Sequence, residues 1–189
     1  MSDPRNLFRL LLSKLDVDFI CDIGSCNGAD SLYFRKILPD AVILAFEANP
    51  VNYEAMRSDE KLKKNRIEVF PFAISNYNGK VEFNIYHGNT KGLSSLYERL
   101  HRDGCELERK VNVEAHRIDS FILNGNRKIG KAALWIDVEG TGYEVLEGME
   151  NIKDLVCLVN IEVEMKEIFS GQKTKDDIDQ MKKMHSWKG

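Results

Sequence analysis

Short apolar runs alternate with stretches of helical spacing along most of the chain. Val17 to Ile23, Ala41 to Phe46, Ile67 to Phe72, Lys131 to Val138 and Leu155 to Val163 have the length and composition of buried strands. Between them, helical patterns run over Ala29 to Leu38, stopped by Pro39, over Pro50 to Arg57 behind Asn49 as a cap, and over Gly142 to Met149. Consecutive strands separated by a helix need crossover connections. The alternation therefore predicts an α/β fold: a Rossmann-like, open, mostly parallel sheet with helices on both faces.

Two segments depart from this rhythm. Near the start, Asp3 is placed to cap a helix whose first residue is Pro4, and Leu7, Leu10, Leu11 and Leu15 recur on one face. Residues 1–16 are thus expected to form a docking helix rather than a membrane anchor. Between Phe72 and Phe121, Asn78-Gly79 is a hairpin signal and Val81, Phe83 and Ile85 alternate with polar residues, which predicts an antiparallel hairpin insertion over 72–121. The polar stretch from His87 to Leu96 inside it has the character of a binding loop.

Composition narrows the classes. A chain of 189 residues, 43% hydrophobic and 30% charged, suits a single domain over 1–189 with a sizeable core. Its 27 basic and 30 acidic residues are interspersed, without the basic block that neutralises phosphates, so no nucleic acid is expected as partner. No apolar run approaches the roughly 18 residues that span a bilayer, and the first residues lack a leader pattern. The expectation is a soluble cytoplasmic protein with no membrane contact. Cys21, Cys26, Cys105 and Cys157 show no C-x-x-C pair and no histidines at ligand spacing, so no metal is expected and the thiols are read as reduced.

Candidate chemistry gathers at the carboxyl ends of the strands. Phe19 to Gly28 runs from strand into helix through Gly24 and Gly28, at the sheet edge where open α/β folds bind ligands. Glu47 lies just past the second strand, where it can accept hydrogen bonds from both hydroxyls of a ribose and would repel a 2′-phosphate. The spacing G-x-x-x-G lacks the third glycine of the dinucleotide fingerprint, so a single nucleoside suits it better than NAD. The plain alternative is a tight turn followed by a solvated loop acid.

Five segments in order, D-I-G-S-C-N-G (Asp22 to Gly28), F-E-A-N-P (Phe46 to Pro50), F-A-I-S-N-Y-N-G (Phe72 to Gly79), G-L-S-S-L (Gly92 to Leu96) and W-I-D-V-E-G (Trp135 to Gly140), resemble the FkbM-type methyltransferases, a group of class I S-adenosylmethionine-dependent enzymes. The resemblance covers about Asp18 to Glu164. It implies S-adenosylmethionine as cofactor, with Asp22, Gly24 and Gly28 along its methionine part, Glu47 at its ribose, and Phe72 with Ala73 at the adenine edge. Ser25 and Ala48, in the same two turns, complete the implied cofactor-binding set; Ser25-Cys26 stands where the family usually has Ala-Asn. Family members are typically O-methyltransferases, so the implied partner is a small-molecule or glycan substrate. This fold usually adds a strand pair beyond the helical stretch from Thr174 to about Met184. The expectation is therefore either a shortened C-terminus or a homo-oligomer partner covering that edge.

Methyl transfer to a hydroxyl needs alignment and a base beside the cofactor. Asp137, where the fourth parallel strand finishes, is the first candidate, Glu139 the second and His87 the third. The plain alternative is that the two acids cap or orient the next helix. Thr141 and Glu144 match a capping box, so Glu144 is read as structural. Glu162 and Glu164 alternate at the end of the fifth strand and are either substrate ligands or solvated acids. His101, His116 and His185 lie in charged stretches and are read as surface residues. Ser94 and Ser95 lack an activating pair and are read as hydrogen-bonding to substrate or cofactor. Two other readings stay open: an NAD-dependent oxidoreductase, and a non-catalytic binding module on the same fold.

Overall fold

The computed structural model describes residues 4–88, 92–101, 104–125 and 130–184. A five-stranded sheet forms the centre, made of β1 (Phe19–Ile23), β2 (Val42–Phe46), β3 (Ile67–Phe70), β7 (Ala132–Ile136) and β8 (Val156–Ile161). Its order is β3-β2-β1-β7-β8 and every pairing is parallel. The chain winds outward from β1 to one edge and then returns to the other side. Strand order thus reverses at β1, and a crevice opens at the carboxyl ends of β1, β2 and β7.

Alternate residues of each strand face opposite helix layers. Ile20, Ile43, Ala45, Ala133 and Trp135 pack on α1 (Pro4–Leu12), α2 (Ala29–Ile37), α3 (Pro50–Ser58) and α4 (Glu60–Lys64). Cys21, Ile23, Leu44, Phe46, Leu134 and Ile136 pack on α5 (Ile118–Asn124), α6 (Gly142–Glu147) and α7 (Lys175–Met184). Both faces are covered, as near-continuous apolar strands require. The expected Rossmann-like sheet with helices on both sides is the observed architecture.

The N-terminal helix docks by a different face from the one its leucines suggested. Phe8 and Leu12, four residues apart, are buried, with Phe8 edge-on to Phe34 and Trp135. Leu7, Leu10, Leu11 and Leu15 are exposed instead. The aromatic ring offers more area to bury than a leucine and has two aromatic partners. Asp3, expected to cap this helix, lies outside the described residues.

Residues 67–72 do not form one strand. Pro71 has no N–H to continue the ladder, so β3 ends at Phe70 and Phe72–Ile74 becomes β4 of a second sheet. That sheet joins β4, β6 (Cys105–His116) and β5 (Gly79–Gly88), in the order β4-β6-β5. The antiparallel pair is β5 with β6. Asn78-Gly79 does not turn a two-residue hairpin, because β6 lies between β4 and β5; the hairpin closes at its other end, between Gly88 and Cys105. The long strands are ones the sequence pattern had marked only in part.

A buried polar network joins the second sheet to the helix layer. Arg117 grips Asp119 with two nitrogens (3.0 and 2.6 Å) and donates to the carbonyls of Asn76 (3.0 Å) and Glu147 (3.1 Å). Asp119, fully buried, also receives the N–H and side-chain amide of Asn151.

Candidate active site

The turn after β1 is held from inside. Asp22 is buried beneath α2, where one carboxylate oxygen receives the hydroxyls of Ser25 (2.7 Å) and Ser31 (2.5 Å). Burial pushes its carboxyl up to about 6, against the lowering effect of those two hydrogen bonds. Asp22, with Ser25, therefore faces the helix rather than the crevice; neither lines the cavity described below.

Gly24 has φ +84, and a Cβ there would overlap the Asp137 carbonyl. The missing side chain lets the end of β7 close on the end of β1, with the Asp137 N–H donating to the Ile23 carbonyl at 2.9 Å. Gly28, also with positive φ, serves packing: a Cβ would lie 2.7 Å from the Leu62 side chain. Between them Cys26 adopts φ 56 and donates its N–H to Glu47 Oε2 at 2.6 Å.

Glu47 is buried at the end of β2. Its Oε1 receives the Asn49 N–H at 2.8 Å. Burial raises this carboxyl, offset by the N–H groups of Asn49 and Cys26 and by the Asn52 side chain. Asn49 caps α3 as expected, accepting from the Val51 N–H at 3.0 Å.

One cavity brings these turns together. Its walls include Gly24, Cys26, Glu47, Ala48, Asn52, Phe72, Ala73, Asp137 and Glu139. Its volume is about 60 Å³. Phe46, Phe72, Ile74 and Phe83 contribute apolar lining. The strand order β2-β1-β7 sets Glu47 on one side of the β1 turn and Asp137 and Glu139 on the other, and Gly92, Ser94, Ser95 and Leu96 complete the lining.

The acids past β7 and β8 form one group. Asp137 is pushed up to about 6, first by burial and then by its hydrogen bond to Glu162 and that residue's charge. Glu139 rises to about 7 by burial and by the charges of Glu162 and Glu164, with Arg99 opposing. Burial likewise raises Glu164. Glu162 continues the ladder, donating its N–H to the Ile136 carbonyl at 3.0 Å. Among the described residues, no three His, Cys, Asp or Glu side chains gather as a metal site.

The remaining candidates divide between the cavity wall and the rest of the surface. His87 is an exposed residue of β5 opposite Glu106 and does not line the cavity. The capping box at Thr141 does not form: Thr141 makes no side-chain cap and lines the cavity. Glu144 instead accepts the Tyr97 hydroxyl at 2.7 Å, a tertiary partner that outcompetes the local one. Ser94 and Ser95 bond to protein groups. His185 lies outside the described residues. Asn52 was missed by the sequence reading. Its one signal is its place in the first turn of α3, close behind Glu47.

A family model, the methyltransferase FkbM domain, matches residues 22–187. Two curated relatives match as well. A protein named 2-O-methyltransferase NoeI from Sinorhizobium fredii is 27% identical over 177 residues, covering 86% of this chain and 69% of the relative. A protein named methyltransferase sdnD from Sordaria araneosa is 31% identical over 158 residues, covering 70% of this chain and 60% of the relative. No helix among the described residues is long and apolar enough to cross a membrane.

Proposed function

Because this chain belongs to the FkbM methyltransferase family, we propose that it transfers the methyl group of S-adenosylmethionine to a hydroxyl of a small molecule or glycan. The observation that carries this reading is one cavity lined both by Glu47 from the end of β2 and by Asp137 and Glu139 from the end of β7. The name of one relative, a 2-O-methyltransferase, supports oxygen as the methylated atom.

The residues fit the cofactor. The Glu47 carboxylate takes two backbone N–H groups and the Asn52 side chain, which leaves one of its roughly four lone-pair sites for a ribose hydroxyl. Phe72, Ala73 and their apolar neighbours suit the flat face of adenine. Gly24 acts by close backbone approach, whereas Asp22, Ser25 and Gly28 support the turn from behind.

When bound, S-adenosylmethionine supplies an electrophilic methyl on a sulfonium. The chain's part is to orient the acceptor and take its proton. Asp137, with its carboxyl raised to about 6, is mostly ionised at neutral pH and basic enough to accept that proton. Glu139, raised to about 7, is the adjacent second group.

Calorimetric titration with S-adenosylhomocysteine tests the reading. The chain is expected to bind it, and Glu47→Gln to weaken it at least tenfold, because the amide nitrogen cannot accept. No binding by the parent at millimolar concentration would sink the proposal. Tighter binding of NAD in the same titration would favour the oxidoreductase instead.

A further inference from the structure

Two adjacent serines, which the proposed proton transfer does not use, fasten residues 92–96 along the cavity. Ser94 Oγ accepts from the Asn49 side-chain amide and from the Tyr86 N–H, both at 3.4 Å. Asn49 belongs to the turn whose own N–H binds Glu47. Ser95, 2% exposed, donates its hydroxyl to the Glu139 carbonyl at 2.6 Å and accepts the Tyr97 N–H at 3.0 Å. Its backbone pairs in both directions with Asn84 of β5, at 2.8 and 3.1 Å. The Asn84 amide adds bonds to the carbonyls of Ser95 and Leu96.

Neighbouring side chains of an extended segment point to opposite sides. One step of chain thus reaches both the β2 turn that carries Glu47 and the β7 turn that carries Asp137 and Glu139. We infer that Ser95 is a positioning residue: its hydroxyl holds the Asp137–Glu139 turn against the cavity, while Ser94 anchors the same strap to the Glu47 turn. The two acid-bearing ends of the site are thereby set at a fixed separation by β5. This rests on the proposed methyl transfer for the role of the acids; the clasp itself rests on the hydrogen bonds alone.

Amide hydrogen exchange on the ligand-free chain tests the clasp, with S-adenosylhomocysteine titration alongside. Ser95→Ala is expected to speed exchange over residues 137–140 about tenfold, the effect of losing one buried hydrogen bond. It should weaken S-adenosylhomocysteine by a similar factor. Ser95→Thr keeps the hydroxyl and is expected to recover most of both losses. Ser94→Ala should speed exchange over residues 47–52 instead. Parent-like exchange at 137–140 in Ser95→Ala, or a Thr variant no better than Ala, overturns the inference. A parent that fails to bind S-adenosylhomocysteine, with 137–140 still loosened in Ser95→Ala, condemns the cofactor reading and leaves the clasp standing.

Discussion

Replacing Gly24 by alanine separates two costs that usually occur together. The residue has φ +84, where an L side chain costs roughly 1–2 kcal/mol. Its new Cβ would also lie 2.8 Å from the Asp137 carbonyl carbon and closer still to its oxygen. That carbonyl is backbone at the end of β7, tied to β1 through the Asp137 N–H, so no side chain can swing away. Overpacking of this kind costs about 1–3 kcal/mol. The sum is about 3 kcal/mol, or a drop in Tm of roughly 6–12 °C for a chain of this size. Gly171 is the internal control: it has φ +80 but nothing within 4 Å of an added Cβ. Gly171→Ala should therefore cost only the conformational part, about 1–2 kcal/mol. Urea unfolding of both variants beside the parent measures the difference. Equal destabilisation, within about 0.5 kcal/mol, would refute the claim that Gly24 is needed for the approach of β7.

Asp22 is stabilising when protonated, because its folded pKa of about 6 lies above the unfolded value of 3.8. That contribution is complete below pH 4 and is lost as pH rises through 6. About 1.4 kcal/mol should disappear between pH 5 and 8. Asp22→Asn should abolish that component of the pH dependence in urea unfolding, and an unchanged profile would contradict it. Asp137→Asn should lower methyl transfer from S-adenosylmethionine by roughly 10²-fold or more. The parent's kcat/KM should rise with pH through about 6 to a plateau. Activity retained in the variant would favour Glu139 as base or a non-catalytic module. Arg117→Ala leaves the fully buried Asp119 without its bidentate partner. A loss of about 3–5 kcal/mol is expected in urea unfolding, and a loss below about 1 kcal/mol would show the network to be dispensable.

The sheet was legible in the chain because its information is local. Apolar runs such as Phe19 to Ile23 and Ala132 to Ile136 can satisfy their backbone and bury both faces only as central parallel strands. The glycine turn and Glu47 were legible for the same reason: each sits at a fixed offset from the end of such a strand. What the chain could not state was partner and direction. Asn78-Gly79 carries a hairpin signal, yet β6, almost thirty residues on, takes the place beside β4. Thr141 and Glu144 spell a capping box, yet Tyr97 from the connection between β5 and β6 claims the carboxylate. Asp22 reads as a cofactor ligand, yet the strand's alternation turns it toward Ser31 and α2. His87 reads as the opening of a loop, yet pairing with β6 carries it outward on a strand. For all but Asp22 the deciding contact comes from a segment distant in sequence. Local propensity sets which elements form, and only tertiary packing settles which face each side chain presents and what it meets there.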